Sequence, residues 1–184
     1  DEDDKYIIPQ ARILRYLNSK GIQGIPEVVD FVRLKDGRKL ILLKKFPKGE
    51  TLHDKAWKLS KHKATEVMLE VARIVKSMLD EGVYHWDITP NNIFITNEGK
   101  VILFDFDFAF MGERDFLERK LYAGGTRLYL SQNRRYRSRT FSHADEIYSF
   151  GVSLFTVWGP DFFLNKDLTF LAKKMPNYIT RLEK

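Results

Sequence analysis

The residues best suited to chemistry in this sequence are acids and an amide that flank two short apolar segments. The tripeptide His-Trp-Asp, ending at Asp87, precedes the first segment, Asn92 opens it, and Asp105 follows the second in an Asp-Phe-Asp tripeptide. Mg²⁺ prefers oxygen ligands and usually binds one or two protein carboxylates beside substrate phosphates. The pattern predicts a metal-nucleotide site in which Asn92 and Asp105 bind the metal and Asp87 remains free for the nucleophile. Any one of these residues alone would more often form a turn or a cap.

The elements that must position these residues are the strands of a predicted β-hairpin. Residues 93–96 and 101–104 are short apolar runs joined by an Asn-Glu-Gly turn. Because the two strands of a hairpin run antiparallel, the residues before the first and after the second lie at the same end. We therefore expect Asp87, Asn92 and Asp105 to lie close together.

A second hairpin and three helices complete the prediction of an α+β domain. Residues 27–33 and 39–46 are rich in Val, Ile, Leu and Phe and flank Asp36-Gly37, a dipeptide that supplies the positive φ of tight turns. Apolar residues at three- and four-residue spacing predict helices at residues 9–17, 65–79 and 144–158. The apolar stripe of the central helix comprises Val67, Met68, Val71, Ala72, Val75, Met78 and Leu79.

The first and last of these helices have recognisable ends. Pro9 is expected in the first turn of its helix, where a missing N–H costs nothing, and Gly21 follows its end. The last helix is apolar nearly all round, so we expect it to be buried on most sides and to stop at Gly159-Pro160.

Composition narrows the class of protein. With 184 residues, 43% of them hydrophobic, the chain can form one ordinary domain, which excludes a disordered or fibrous protein. No apolar run approaches the roughly 20 residues of a membrane span, and no signal segment opens the chain.

The lack of cysteine excludes disulfides and cysteine-bound zinc. We expect a soluble protein, cytoplasmic by default, and the start at Asp1 indicates a remnant of a longer chain.

The charge of +6 favours an acidic or phosphorylated partner. Residues 126–140 contain no acid but five arginines, which are Arg127, Arg134, Arg135, Arg137 and Arg139. Such a run is either a solvated loop or an anion site beside the acceptor groove. We expect neither nucleic acid nor a membrane as a partner.

At these residues the sequence resembles the protein kinase superfamily. The segment HWDITPNN matches the catalytic-loop pattern H-x-D-x-x-x-x-N, and the Asp-Phe-Asp tripeptide stands in place of D-F-G. The resemblance implies that Asp87 orients or accepts a proton from the substrate hydroxyl, that Asn92 is the second metal ligand, and that Asp105 is the principal one. ATP and Mg²⁺ are the implied cofactors.

The resemblance extends over most of the chain and implies a bilobal kinase-like fold. A partial small lobe at residues 1–46 would precede a mainly helical large lobe at residues 47–184, with the hinge near residues 46–50. By resemblance, the residues around ATP are Leu43 as gatekeeper, the main chains of Lys44 and Phe46 facing adenine, Glu50 near the ribose and Phe94 as the pocket floor. Gly125, Thr126 and Tyr129 resemble the end of an activation segment.

Several positions depart from the family pattern. No Gly-rich loop and no strand with the phosphate-binding Lys appear in the sequence. Four residues replace the expected ones near the site: Gln10 for the Lys-pairing Glu, Trp86 for Arg, Thr89 for Lys and Asp107 for Gly. Ser131-Gln132-Asn133 stands for A-P-E, and Glu146 lies where an Asp normally holds the catalytic loop.

Three functions remain open. The first is a divergent serine/threonine protein kinase that acts on a protein or peptide. The second is a pseudokinase, a binding or allosteric module, which the four replacements near the site and the lack of a Gly-rich loop in this sequence favour. The third is a kinase of a small molecule, against which residues 125–133 argue because such a segment usually supports peptide substrates. A phosphate-binding Lys upstream of Asp1, behind a Gly-rich turn, would favour the first.

Overall fold

The computed structural model describes residues 2–136 and 139–158 of the chain. The α-helices in these ranges are α1 (Glu2–Ser19), α2 (Leu52–Lys55), α3 (Lys61–Asp80), α4 (Gly112–Glu118), α5 (Gln132–Arg135) and α6 (His143–Trp158). The strands are β1 (Val28–Arg33), β2 (Lys39–Leu43), β3 (Gly49–Thr51), β4 (Val83–Tyr84), β5 (Ile93–Thr96), β6 (Val101–Leu103) and β7 (Phe110–Met111). The mixture of helices and antiparallel strand pairs confirms the α+β class. None of the helices in the described ranges combines the length and apolar character needed to cross a bilayer.

Helix α1 is longer than its apolar pattern predicts. It begins at Glu2 rather than at residue 9, so Pro9 lies inside the helix and its predicted place in the first turn is wrong. Proline marks a helix start only when the preceding residues are not helical; inside a helix it costs one backbone hydrogen bond. Near the other end, the Asn18 side chain donates to Pro26 O at 3.1 Å and accepts from Val28 N at 2.9 Å. These bonds hold the start of β1 against α1.

Both predicted hairpins are present. Strands β1 and β2 pair antiparallel, and Gly37 has a φ of 90° in their connection. Strands β5 and β6 pair antiparallel across a turn in which Gly99 has a φ of 86°. The strands are shorter than predicted, because β2 ends at Leu43 rather than residue 46 and β6 at Leu103 rather than residue 104.

The second hairpin is extended by β3, which pairs with β5 to give the sheet order β3-β5-β6. The approach of β3 to β5 is close at Gly49, where a Cβ would lie 2.3 Å from Ile95 O. A glycine is therefore required here. The pairing brings Glu50, expected near the ribose, opposite Ile95.

Helix α3 supplies the central apolar face. Its buried residues are Ala64, Val67, Met68, Val71, Ile74, Val75 and Met78. The predicted stripe omitted Ala64 and Ile74 and included Ala72 and Leu79, which are only half-buried. Residues of α1 belong to the same hydrophobic cluster, so the helix expected in the small lobe packs into the core formed by α3. The division of the chain at residue 46 stays a prediction.

Helix α6 spans the predicted residues and is buried on most sides, as predicted, since among residues 143–157 the exposed ones are 143, 144, 147 and 155. The buried positions include four polar residues, Asp145, Glu146, Ser149 and Ser153, whereas Ile147 is 58% exposed. The polar face is buried because it binds the main chain of the loop that follows β4, as shown by the bond from Ser153 Oγ to Ile88 O at 2.9 Å. The predicted stop at Gly159-Pro160 lies outside the described residues.

Two glycines after α1 allow a matched test of the packing against α3. Gly21 and Gly24 both have positive φ, 73° and 77°, but a Cβ at Gly21 meets nothing within 4 Å, whereas one at Gly24 lies 2.4 Å from Ile74 Cδ1. We expect Gly21→Ala to lower the free energy of unfolding by about 1 kcal/mol through backbone strain alone. Gly24→Ala should cost about 1–3 kcal/mol more, because it also overpacks the core. Urea unfolding measures both, and equal losses would contradict the described contact.

Candidate functional site

Two loops lie side by side because two strand pairs bracket them. The loop at residues 85–92 connects β4 to β5, and the loop at residues 104–109 connects β6 to β7. Strand β5 pairs with β6, and β4 pairs with β7. Both loops therefore lie at the same end of the two antiparallel pairs, which explains why Asp87, before β5, and Asp105, after β6, come close.

Asp87 is held by hydrogen bonds from two directions. Asn92 Nδ2 donates to Asp87 O at 2.9 Å and to Asp87 Oδ2 at 3.1 Å. From residues 124–126, Thr126 N donates to Asp87 Oδ1 at 2.7 Å and Thr126 Oγ1 donates to Asp87 Oδ2 at 3.1 Å. These bonds fix the Asp87 side chain. Its carboxylate already accepts a hydrogen bond from one hydroxyl group, that of Thr126.

Asp105 lies on the neighbouring loop. Phe104 N donates to Asn92 O at 2.9 Å, which places Asp105 one residue from the Asn92 main chain. Its φ of 64° is left-handed, a conformation that Asp and Asn tolerate better than most residues. Partial burial, with the charges of Asp107 and Asp87, raises the pKa of Asp105. The three residues predicted to do chemistry are thus brought together, Asp87 and Asn92 by direct hydrogen bonds and Asp105 by main-chain contact and charge.

His85 joins the two loops and is held neutral. Its Nε2 lies 3.0 Å from Phe104 O, and its Nδ1 lies 3.4 Å from Asp87 N. A carbonyl can only accept and a main-chain N–H can only donate, so the proton lies on Nε2. Complete burial lowers the pKa of His85, which agrees with a neutral ring. This histidine positions Asp87 and Asp105 relative to each other.

The backbone of Trp86 is in a rare conformation. Its φ of 67° is unusual for a bulky residue and costs free energy. The carboxylate of Glu146 accepts from His85 N at 2.6 Å and from Trp86 N at 3.0 Å. Glu146 therefore holds the start of the loop of residues 85–92, at a position where the resemblance expects an Asp. Burial raises the pKa of Glu146 to about 7, against the lowering effect of these amides and of Arg134.

The Trp86 side chain fills a buried aromatic cluster. It makes edge contacts with Tyr84, Phe110 and Phe116, with ring centroids 5.1–6.3 Å apart, and its Nε1 donates to Leu121 O at 3.1 Å. Aromatic packing therefore occupies the position at which the resemblance expects an Arg.

The arginine run of residues 127–139 does not form one site. Arg134 is buried, with its guanidinium carbon 3.8 Å from the centroid of the Trp86 ring, so the interpretation of this residue as solvated or as part of an acceptor groove is wrong. Arg127, Arg135 and Arg139 are exposed, and Arg137 lies outside the described residues. Sequence reasoning missed the role of Arg134 because its partners are 10 to 48 residues away.

Gln10 and Asp107, two residues that depart from the family pattern, contact each other. Gln10 Nε2 of α1 donates to Asp107 Oδ1 at 3.0 Å. Partial burial raises the pKa of Asp107, while Arg119 lowers it. A neutral amide therefore binds the carboxylate that stands in place of glycine, which the sequence offered no means of foreseeing.

The five residues expected around ATP lie between the end of β2 and strand β5 in the chain. Leu43 ends β2, and the rings of Phe46 and Phe94 are 5.5 Å apart. Lys44 Nζ pairs with Glu27 at 2.8 Å, and Glu50 lies 3.6 Å from Lys58 Nζ. Phe46 and Phe94 are thus brought into contact, and the role of the five residues in binding nucleotide stays a prediction.

The chain is similar to protein kinases in sequence. The family model "Protein kinase domain" matches residues 2–179. The chain is 32% identical over 102 residues to the KEOPS complex subunit Bud32 of Pyrococcus abyssi, covering 55% of this chain and 44% of that protein. It is 26% identical over 146 residues to the serine/threonine-protein kinase PknA of Mycobacterium tuberculosis, covering 78% of this chain and 34% of that protein. The chain thus spans less than half the length of either relative.

A solved structure shares the fold. The kinase PK-1 of Cydia pomonella granulovirus superposes with a TM-score of 0.68 at 11% identity, covering 82% of this chain and 54% of that one. At this identity the likeness concerns the fold alone, and it confirms the kinase-like architecture.

The raised pKa of Glu146 predicts a pH dependence of stability. Its ordinary value is 4.5 and its folded value about 7, so between these pH values the folded state holds a proton that the unfolded state has lost. The stabilisation is complete below pH 4.5 and is lost as the pH rises through about 7. We expect the free energy of unfolding to fall by about 3 kcal/mol more in the wild type than in Glu146→Gln over this window. Parallel pH profiles of the two proteins in urea unfolding would contradict the raised pKa.

Proposed function

Since this chain belongs to the protein kinase domain family, we propose that it transfers the γ-phosphate of Mg-ATP to a hydroxyl group as a divergent serine/threonine protein kinase. The observation that carries the proposal is the arrangement of Asp87, whose carboxylate already accepts a hydrogen bond from the Thr126 hydroxyl. An acceptor hydroxyl needs a carboxylate fixed in this manner, because a positioned proton acceptor acts only within hydrogen-bond distance. A cytoplasmic location belongs to the same proposal.

The donor set around Asp105 fits Mg²⁺. Both hydrogens of Asn92 Nδ2 are directed to Asp87, so the Asn92 amide oxygen is left as a free ligand atom. The neighbouring acids that raise the pKa of Asp105 make a cation favourable there. Among residues 2–136 and 139–158 there is no cluster of three or more His, Cys, Asp or Glu side chains suited to a metal. The remaining ligands would therefore come from nucleotide phosphates and water, as is usual for Mg²⁺.

Each residue then has a separate task. Asp105 and Asn92 would hold Mg²⁺, which would supply neutralising charge to the transferred phosphoryl group. Asp87 would align the acceptor hydroxyl and take its proton. The main chains of Lys44 and Phe46 would face adenine. The other proposed nucleotide contacts are Leu43 as gatekeeper, Glu50 at the ribose and Phe94 beneath the adenine.

We propose a protein or peptide as the acceptor. Residues 127 and 128 follow Thr126, the residue that contacts Asp87, and both Arg127 and Leu128 are exposed. An exposed cation beside the acceptor position favours an acidic or phosphorylated peptide, through an attraction that salt weakens. Arg134 takes no part in this preference because it is buried.

A pseudokinase is the second candidate, and the contact between Gln10 and Asp107 favours it. Gln10 cannot form the ion pair expected of a Glu at its position, and it is already bonded to Asp107. The name of one relative describes a subunit of a complex. A binding module of this kind would use the same fold without phosphotransfer.

Two conservative substitutions in the full-length protein test the enzyme proposal. Asp105→Asn keeps the shape and the tolerance of left-handed φ but removes a charge. It should abolish phosphotransfer, weaken Mg-nucleotide binding, and leave Tm without nucleotide unchanged or slightly raised, because repulsion with Asp107 is relieved. Asp87→Asn should spare nucleotide binding and lower kcat by about 100-fold or more. The exposed Asp80→Asn on α3 is the matched control.

The outcomes separate the two candidates. Titration with Mg-ATP and a phosphotransfer assay measure binding and turnover for each variant. If the wild type shows neither nucleotide-dependent thermal stabilisation nor phosphotransfer, the enzyme proposal is lost and the pseudokinase stands. If both substitutions leave phosphotransfer intact, the roles assigned to Asp87 and Asp105 are wrong.

A further inference from the structure

Arg134 is a buried cation beneath the loop that carries Asp87. Its side chain is 3% exposed, and its guanidinium lies over the Trp86 ring. Nη2 donates to Trp86 O at 2.6 Å and to Gly124 O at 3.3 Å, and Nη1 donates to Ser149 Oγ at 3.4 Å. One planar group thus binds the loop of residues 85–92, residues 124–126 and α6.

The two carbonyls that Arg134 binds belong to the two segments that meet at Asp87. Trp86 O is in the peptide that connects Trp86 directly to Asp87. Gly124 lies two residues before Thr126, whose N–H and hydroxyl both bind the Asp87 carboxylate. At Gly125 a Cβ would lie 2.5 Å from Arg134 Nη2, so the absence of a side chain there leaves room for the guanidinium. Arg134 therefore sets the separation of these two segments.

Neighbouring acids offset part of the cost of burying the charge of Arg134. Burial lowers the pKa of Arg134 to about 10, and the negative charges of Glu146, Asp87 and Asp145 act in the opposite direction. The guanidinium therefore remains charged at neutral pH. Its N–H donors lie in a fixed plane, so it can bind two carbonyls and an aromatic face together, which a lysine ammonium cannot reproduce.

We propose that Arg134 is a positioning residue for phosphotransfer, which fixes Asp87 against Thr126 by binding the carbonyls of Trp86 and Gly124. This inference rests on the proposed function for its kinetic consequence. Its structural consequence, the joining of residues 85–87 to residues 124–126, is independent of turnover.

The test uses Arg134→Met and Arg134→Lys in the full-length protein, with the exposed Arg73→Met on α3 as the matched control. Hydrogen exchange followed by mass spectrometry reports on the two joined segments, and steady-state kinetics and Mg-ATP titration report on catalysis.

We expect Arg134→Met to raise exchange at residues 84–88 and 124–130 by about 10-fold or more while α3 is unchanged. It should lower kcat by about 10- to 100-fold, since small misplacements of a catalytic group are costly, and change the Kd for Mg-ATP by less than about 3-fold. Arg134→Lys should restore part of both effects.

Unchanged exchange and kcat in Arg134→Met would overturn the proposal. Exchange raised equally in α3 and in the two segments would also overturn it, because Arg134 would then contribute only to global stability. If Arg134→Met does not fold, the same measurements are made on Arg134→Lys. Wild-type exchange and wild-type kcat in Arg134→Lys would then overturn the proposal. A wild type without phosphotransfer would end the proposed function, while the exchange measurements would still decide whether Arg134 joins the two segments.

Discussion

The structure depends on one buried carboxylate that binds two successive backbone amides. Glu146 accepts from His85 N and Trp86 N, and in doing so it holds Trp86 at a φ of 67°. That conformation is unfavourable for a bulky residue, so it persists only because the surroundings impose it. The turn so formed directs Asp87 toward Thr126 and Asn92. The polar face of α6 is buried for the same reason, because it must supply Glu146 to the loop.

The departures from the family pattern form contacts of their own. Trp86 replaces an Arg with a buried indole, and Arg134 supplies a guanidinium against the face of that indole at 3.8 Å. Asp107 replaces a glycine, and Gln10 binds its carboxylate. Each replacement is thus accommodated by a second residue far away in the sequence. With these replacements in place, Asn92 still binds Asp87, and Asp105 still lies next to the main chain of Asn92.

Local patterns in the sequence predicted the parts of the structure that depend on neighbouring residues. The two hairpins, α3 and the meeting of Asp87, Asn92 and Asp105 follow from strand alternation, helical spacing and turn residues. The buried position of Arg134 and the polar face of α6 did not follow, because hydropathy treats an Arg or a polar helix face as exposed. Their partners come from distant segments, which no local pattern identifies. The start of α1 was missed because Pro9 is typical of a first turn.

The most direct test of this account is a double-mutant cycle between Glu146 and Arg134, measured by urea unfolding at pH 8, where the carboxylate is ionised. The two charges bind the main chain on either side of the Trp86 Cα, Glu146 at the Trp86 N–H and Arg134 at the Trp86 carbonyl. The account predicts that Glu146→Gln and Arg134→Met together cost less than the sum of the single losses, with a coupling of about 1 kcal/mol or more. Losses that add to within about 0.5 kcal/mol, the range found for independent sites, would contradict it.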